Sequence, residues 1–217
     1  MKRKILVGAA AAVLGLLAAA FALLPPKVSP EAIQSSVIRA EDVLERAWSL
    51  PVAATFGRTV AWQSNSSLCG PASVANVLRS LGEPADTEVE VLAGAGKCRS
   101  GFCFMGLTLD ELADVARAHT QRKVTVLRGL TAEEFHEHLR HANDPGRRYI
   151  VNFTREKIFG AGVGHHSPIG GYLEAEDLIL VLDVNEEFQP WLVDRSRLFA
   201  AMDTQDGEKK RGLLLIE

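Results

Sequence analysis

Two apolar runs, His165 to Leu173 and Leu178 to Val184, are separated only by Glu174-Ala175-Glu176-Asp177, and this block constrains the fold more than any other. Short runs rich in Ile, Leu and Val, bounded by a polar turn, read as strands. Joined so closely, they make most simply an antiparallel hairpin that places His165 and Asp183 near the same end. An aspartate inside Leu178-Ile179-Leu180-Val181-Leu182-Asp183-Val184 is expensive to bury without a partner. Asp183 therefore needs one, and His165 is within reach.

Upstream, Glu31 to Ser49 carries Ile33, Val37, Ile38, Val43, Leu44 and Ala47 at spacings that predict one amphipathic helix. Leu50 to Trp62 reads as extended. From Cys69 to Leu81 the pattern predicts a largely buried helix, with Pro71 in its first turn and Gly82 and Pro84 closing it. Glu83 to Gly106 reads as a loop region. Thr108 with Glu111, and Thr131 with Glu134, are capping-box pairs that open two further helices. Lys123 to Arg128, Arg148 to Thr154 and Arg211 to Glu217 complete the strands, and Ser196 to Met202 is a short helix. Helices come first and an antiparallel sheet second, which is an α+β order.

Cys69 begins the run Cys69-Gly70-Pro71-Ala72-Ser73, and Gln63 lies six residues upstream. A thiol at a helix N-terminus feels the positive end of the helix dipole, which favours its thiolate. The Gln63 amide can join the Cys69 backbone N–H as an oxyanion hole. A histidine would act as general base, and Asp183 would orient it and fix its tautomer. His165 and His166 stand side by side, and strand alternation sends their rings to opposite faces, so only one is expected to meet Cys69. Each of these residues alone has a plain reading as a buried cysteine, a loop amide or a surface histidine. Together they suit nucleophilic acyl transfer.

Lys2-Arg3-Lys4 precede an apolar stretch from Ile5 to Leu24, ended by Pro25-Pro26. The basic flank and the length suit either an export signal, cleaved after Ala20-Phe21-Ala22, or an uncleaved anchor. The expected organisation is a signal or membrane anchor over 1–24, a linker and amphipathic helix over 25–50, and a catalytic domain over 51–217. Export places the body in the periplasm or on the outer face of the bacterial inner membrane. Setting aside Lys2, Arg3 and Lys4 leaves 21 of the 24 basic residues against 27 acidic ones, a balance that argues against nucleic-acid binding. Membrane contact is expected only through the N-terminal segment, if uncleaved, and a homodimer is possible.

Three cysteines in an oxidising compartment suggest one pair and one free thiol. Cys98 and Cys103 enclose only Arg99-Ser100-Gly101-Phe102, a turn that a disulfide could close, although so short a loop gains little chain entropy. On this count Cys69 is the leftover thiol. His136-Glu137-His138-Leu139-Arg140-His141 resembles a zincin helix, but the second histidine of H-E-x-x-H would have to stand where Arg140 does. A solvated helix face is the expectation there, with no metal ligands assigned.

The residues around these positions resemble the phytochelatin synthase family, papain-like enzymes acting on glutathione. The resemblance rests on Gln63 to Ala72, Gly164-His165-His166-Ser167-Pro168-Ile169-Gly170-Gly171-Tyr172, Leu182-Asp183-Val184, and the closing Ala201-Met202-Asp203 and Arg211-Gly212, and it covers roughly Val52 to Glu217. It implies a papain-like α+β fold, with an N-terminal helical lobe bearing the nucleophile and a sheet lobe bearing His and Asp. It implies Cys69 as nucleophile, Gln63 as oxyanion donor, His165 as base and Asp183 as orienting acid, since His166 falls where the family usually has an aromatic residue. The implied chemistry is a glutathione gamma-glutamylcysteinyltransferase: Cys69 cleaves the Cys–Gly bond of glutathione, and the acyl group passes to a second glutathione or to water. No cofactor is implied as tightly bound; cadmium or zinc would act through metal–thiolate glutathione. Glu186 departs from the pattern, standing where an arginine tied to substrate recognition is expected, and an anion there would oppose a substrate carboxylate. The alternatives are a papain-like peptidase or amidase with another substrate, and a non-catalytic thiol or metal-binding module of the envelope.

Overall fold

The computed structural model describes residues 26–84, 87–92, 98–99 and 101–217. The expected signal or anchor over 1–24 lies outside the described residues. At the centre, strand β5 (Gly164–Leu173) pairs antiparallel with β6 (Leu178–Val181) across a single 3-10 turn at Glu174–Glu176. Every residue of β6, and all but the first of β5, is buried, which is why neither run alternates with polar residues. Strands β3 (Val124–Arg128), β4 (Arg148–Thr154), β7 (Trp191–Asp194) and β10 (Gly212–Ile216) extend this pair into a six-stranded sheet in the order β3-β10-β4-β5-β6-β7. All of its pairings are antiparallel.

The two sheet faces carry different layers. Ile150, Leu180, Leu182, Leu214 and Ile216 meet helices α2 (Glu41–Trp48), α3 (Pro51–Thr55), α4 (Cys69–Ser80) and α6 (Leu109–His119). Val151, Phe153, Ile169, Val181 and Leu213 lie under helices α1 (Pro30–Ser36), α7 (Ala132–Arg140), α8 (Arg155–Phe159) and α9 (Arg195–Met202). In α4 every residue but Arg79 is buried, as its apolar pattern requires. Its polar residues are satisfied internally: Ser73 donates to the Cys69 and His166 carbonyls, and Asn76 exchanges hydrogen bonds with the Ala61 backbone. Helices on one side thus carry Cys69, β5 carries His165, and Asp183 follows the end of β6, which stops at Val181 where a strand to Val184 was expected, in a papain-like α+β arrangement.

Both capping boxes form, with Glu111 and Glu134 each reaching back to the threonine backbone. Three expectations are corrected. The helix predicted over 31–49 is two helices, because Ile38 leaves it to pair with Leu192 on the free edge of β7 (N···O 2.8 and 3.0 Å). The stretch 50–62, predicted extended, begins as α3, with Pro51 at a position where its missing N–H goes unneeded. The loop predicted over 83–106 contains a short helix α5 (Glu88–Val91) and a hairpin of β1 (Cys98–Arg99) with β2 (Phe102–Cys103), closed by a Cys98–Cys103 disulfide. Cys69 is the free cysteine. A second small hairpin, β8 (Gln205–Asp206) with β9 (Lys209–Lys210), precedes β10.

Candidate active site

Cys69 is the first residue of α4, and Leu68 before it offers no capping side chain. The first-turn N–H groups of a helix have no intrahelical partner, so the thiol sits at a donor-rich, electropositive end. The sulfur lies 3.8 Å from His166 Nδ1. Burial alone would raise the thiol, but the charge of His165, with hydrogen bonds from His165 and then His166, holds it well below its usual value. One histidine meets the sulfur at hydrogen-bonding distance, as expected, but it is His166 where His165 was expected. The rings do leave β5 on opposite faces, and His165 packs edge-on against Phe153. Both stand at the start of β5, so His165 acts on the thiol through its charge while His166 contacts it.

His165 Nε2 is 2.9 Å from Asp183 Oδ1, which leaves Nδ1 as the ring nitrogen available to the sulfur. Asp183 is fully buried. Besides His165 it accepts hydrogen bonds from Arg155 Nη2 at 2.8 and 3.0 Å, from the Asn185 backbone N–H at 2.9 Å and from Trp191 Nε1 at 3.2 Å. Burial pushes this carboxyl up, yet Arg155 first and His165 second bring it down to about 2. Burial and Arg155 depress the imidazole in turn, while Asp183 and the Cys69 sulfur outweigh them and raise it above its ordinary value. A low thiol beside a raised imidazole favours the thiolate–imidazolium pair.

Arg155 and Trp191 escaped the sequence reading. Arg155 is 6% exposed, with its guanidinium 3.4 Å from the centre of the Phe188 ring. The signal that could have found it is Asp183 itself: an anion deep in an apolar run calls for a cation as well as an imidazole.

Gln63 is held by its backbone N–H to the Val184 carbonyl, next to Asp183, at 2.8 Å. Its Nε2 donates to the Asn65 carbonyl at 2.9 Å, and a side-chain amide has a second N–H to offer. This loop is tied to the disulfide hairpin, since Asn65 Nδ2 donates to the Gly101 carbonyl and the Cys103 N–H donates to Ser67 Oγ.

One chamber opens onto the thiol and a second adjoins it. The first, of about 360 Å³, is walled by Cys69, His166, Phe102, Met105, Asp206 and Arg211. The other, about 330 Å³, is walled by Gln63, Arg155, His165, Asn185, Glu187 and Phe188. Ser66, Val163 and Gly164 border both. Arg211 donates to Asn152 Oδ1 at 2.8 Å and pairs with Asp206 at 3.2 Å, and its guanidinium lies so close over Gly164 that a Cβ there would collide with it. Glu186 is exposed and borders neither chamber, whereas Arg155 and Arg211 do. His136 and His138 turn to Tyr172 and Tyr149, and among the described residues no group of three or more His, Cys, Asp or Glu side chains is placed to hold a metal ion.

A family model described as phytochelatin synthase matches residues 25–213. Glutathione gamma-glutamylcysteinyltransferase of Schizosaccharomyces pombe is 29% identical over 118 residues, which are 52% of this chain and 28% of that protein. Glutathione gamma-glutamylcysteinyltransferase 3 of Lotus japonicus is 38% identical over 73 residues, 32% of this chain and 15% of that one. The match thus spans less than a third of either relative. Among solved structures, a protein described as a C39-like peptidase from Bacillus anthracis superposes with a TM-score of 0.54 at 14% identity, covering 75% of this chain and 95% of that one. At that identity the likeness concerns the fold alone.

Proposed function

Because the chain belongs to the phytochelatin synthase family, we propose that it is a papain-like thiol enzyme in which Cys69 cleaves the Cys–Gly bond of glutathione through an acyl-enzyme. The observation that carries this reading is a buried thiol at a helix start whose pKa the His165 charge lowers, with His165 held by an Asp183 that four donors lock in place. The Cys69 thiolate attacks the carbonyl carbon; a C–S bond forms and the carbonyl pair moves onto oxygen. The oxyanion is met by the Cys69 backbone N–H at the helix start and by the free Gln63 amide hydrogen. His165 passes its Nδ1 proton to the departing nitrogen as the C–N bond breaks, and glycine leaves. The γ-glutamylcysteinyl thioester is then taken by the amine of a second glutathione or by water, with neutral His165 accepting the proton.

The chamber beside the thiol offers a cation and an anion, Arg211 and Asp206, at the spacing of a salt bridge. That is the charge complement of an α-carboxylate and an α-ammonium, the free end of a γ-glutamyl group. Cadmium or zinc would enter as the metal–thiolate form of glutathione, that is, as substrate. Export, or anchoring through residues 1–24, belongs to the same proposal.

The test is to incubate the full chain with glutathione, with and without cadmium, and follow glycine release and the γ-glutamylcysteinyl product. Glycine release that disappears in Cys69→Ala supports the proposal. No release under either condition, from a protein whose thiol is alkylated as an activated one, overturns glutathione as the substrate.

A further inference from the structure

The chamber that opens onto the Cys69 sulfur is walled by His166, while His165 borders the neighbouring one. His166 Nδ1 is 3.8 Å from the sulfur, the ring is only 3% exposed, and its Nε2 is buried without a hydrogen-bond partner. Leaving a buried polar atom unmatched is costly, and an unmatched atom in the wall of a reaction chamber marks the place of a missing ligand group.

We propose that His166 is a second imidazole of the reaction centre, holding the Cys69 sulfur through Nδ1 and taking a hydrogen bond from bound substrate at Nε2. This rests on the reading of Cys69 as the nucleophile. In the tautomer with hydrogen on Nδ1, the ring donates to the thiolate, and Nε2 presents a lone pair to an N–H or S–H of a thiol peptide lying against the Arg211–Asp206 pair. His165 carries the moving proton: it goes to the leaving nitrogen as the C–S bond forms and the C–N bond breaks. His166 keeps its proton throughout. It steadies the thiolate before attack and again when the thioester C–S pair returns to sulfur, and a thiol of lower pKa departs faster.

The charged and titratable groups around this ring are Cys69 from α4, His165 from its own strand, Arg211 and Asp206 from the C-terminal segment, and Arg155 with Asp183 behind His165. Of these, His166 is the one at hydrogen-bonding distance from the thiol.

The experiment is the pH dependence of iodoacetamide alkylation of Cys69 in the full chain, which uses no glutathione. His166→Phe and His166→Met keep an apolar group in place and remove the donor; each moves the inflection upward by about one pH unit, the value of one charge-assisted hydrogen bond. His166→Gln restores an N–H within reach and stays within about half a unit of the parent. Thermal melts identify which variants are folded. A folded Phe or Met variant with the parent inflection overturns the proposal, and so does a Gln variant shifted as far as the apolar ones. If the shifts appear but no glycine is released from glutathione, His166 stands and the substrate assignment falls.

Discussion

Replacing Arg155 with methionine removes the cation from the most enclosed arginine–carboxylate ion pair among the described residues. Asp183 and Arg155 have side chains 0% and 7% exposed, and the guanidinium spans both carboxylate oxygens at 2.8 and 3.0 Å. Breaking one partner out of a buried pair costs about 3–5 kcal/mol. Here His165, Trp191 and the Asn185 N–H still serve the carboxylate, so the lower end, about 3 kcal/mol, is expected. For a folded body of this size that corresponds to a fall in Tm of roughly 6–12 °C. The pH dependence gives a sharper check. Asp183 sits at about 2 in the folded protein against 3.8 as a free side chain, so its contribution is present above pH 4 and is lost as pH falls through 2. The difference amounts to about 2 kcal/mol. In Arg155→Met the folded value moves back toward 3.8, and most of that acid-induced loss disappears. Urea unfolding of both proteins between pH 2 and 7 measures the two effects together. A variant that melts with the parent and keeps its full acid-induced loss refutes the claim that Arg155 holds the Asp183 carboxylate.

Asp183→Asn keeps the shape but offers His165 a neutral amide; glycine release falls on the order of a thousandfold or more, measured at saturating glutathione, and an unchanged rate removes Asp183 from the mechanism. Replacing both Cys98 and Cys103 with serine frees the hairpin that holds Asn65 and Ser67; the loop-closure term predicts a loss of about 2 kcal/mol in chemical denaturation, together with slower turnover as the Gln63 loop loosens. Arg211→Met raises KM for glutathione about tenfold or more by removing a partly buried partner for a carboxylate, whereas Glu186→Arg leaves KM within about twofold. The reverse order of effects would return recognition to position 186.

Much of the site was legible before any coordinates, for local reasons. The helix at Cys69 announces itself by unbroken small and apolar residues with Pro71 in its first turn, and the hairpin by two apolar runs too close together to do anything but pair. Glu111 and Glu134 each lie three residues after a threonine, and that geometry closes within a single turn. The misreadings share a cause: the partners are far away in sequence. Ile38 fits a helix pattern until the edge of β7, more than 150 residues on, offers it a strand partner. Strand alternation separates the rings of His165 and His166, yet it cannot say which of them meets the sulfur, and the structure places His166 Nδ1 there.

The amino-acid order by itself determined that a thiol at a helix start, a histidine and a buried aspartate belong to one chain with an antiparallel sheet, because helix periodicity, strand burial and turn chemistry act over a few residues. Only the tertiary structure decided what surrounds them. Arg155 and Trp191 reach Asp183 from α8 and β7, Arg211 arrives from the segment before β10, and His166 turns to the Cys69 sulfur. Charges and rings brought together by packing set the protonation of a site, and packing couples residues that no local rule connects.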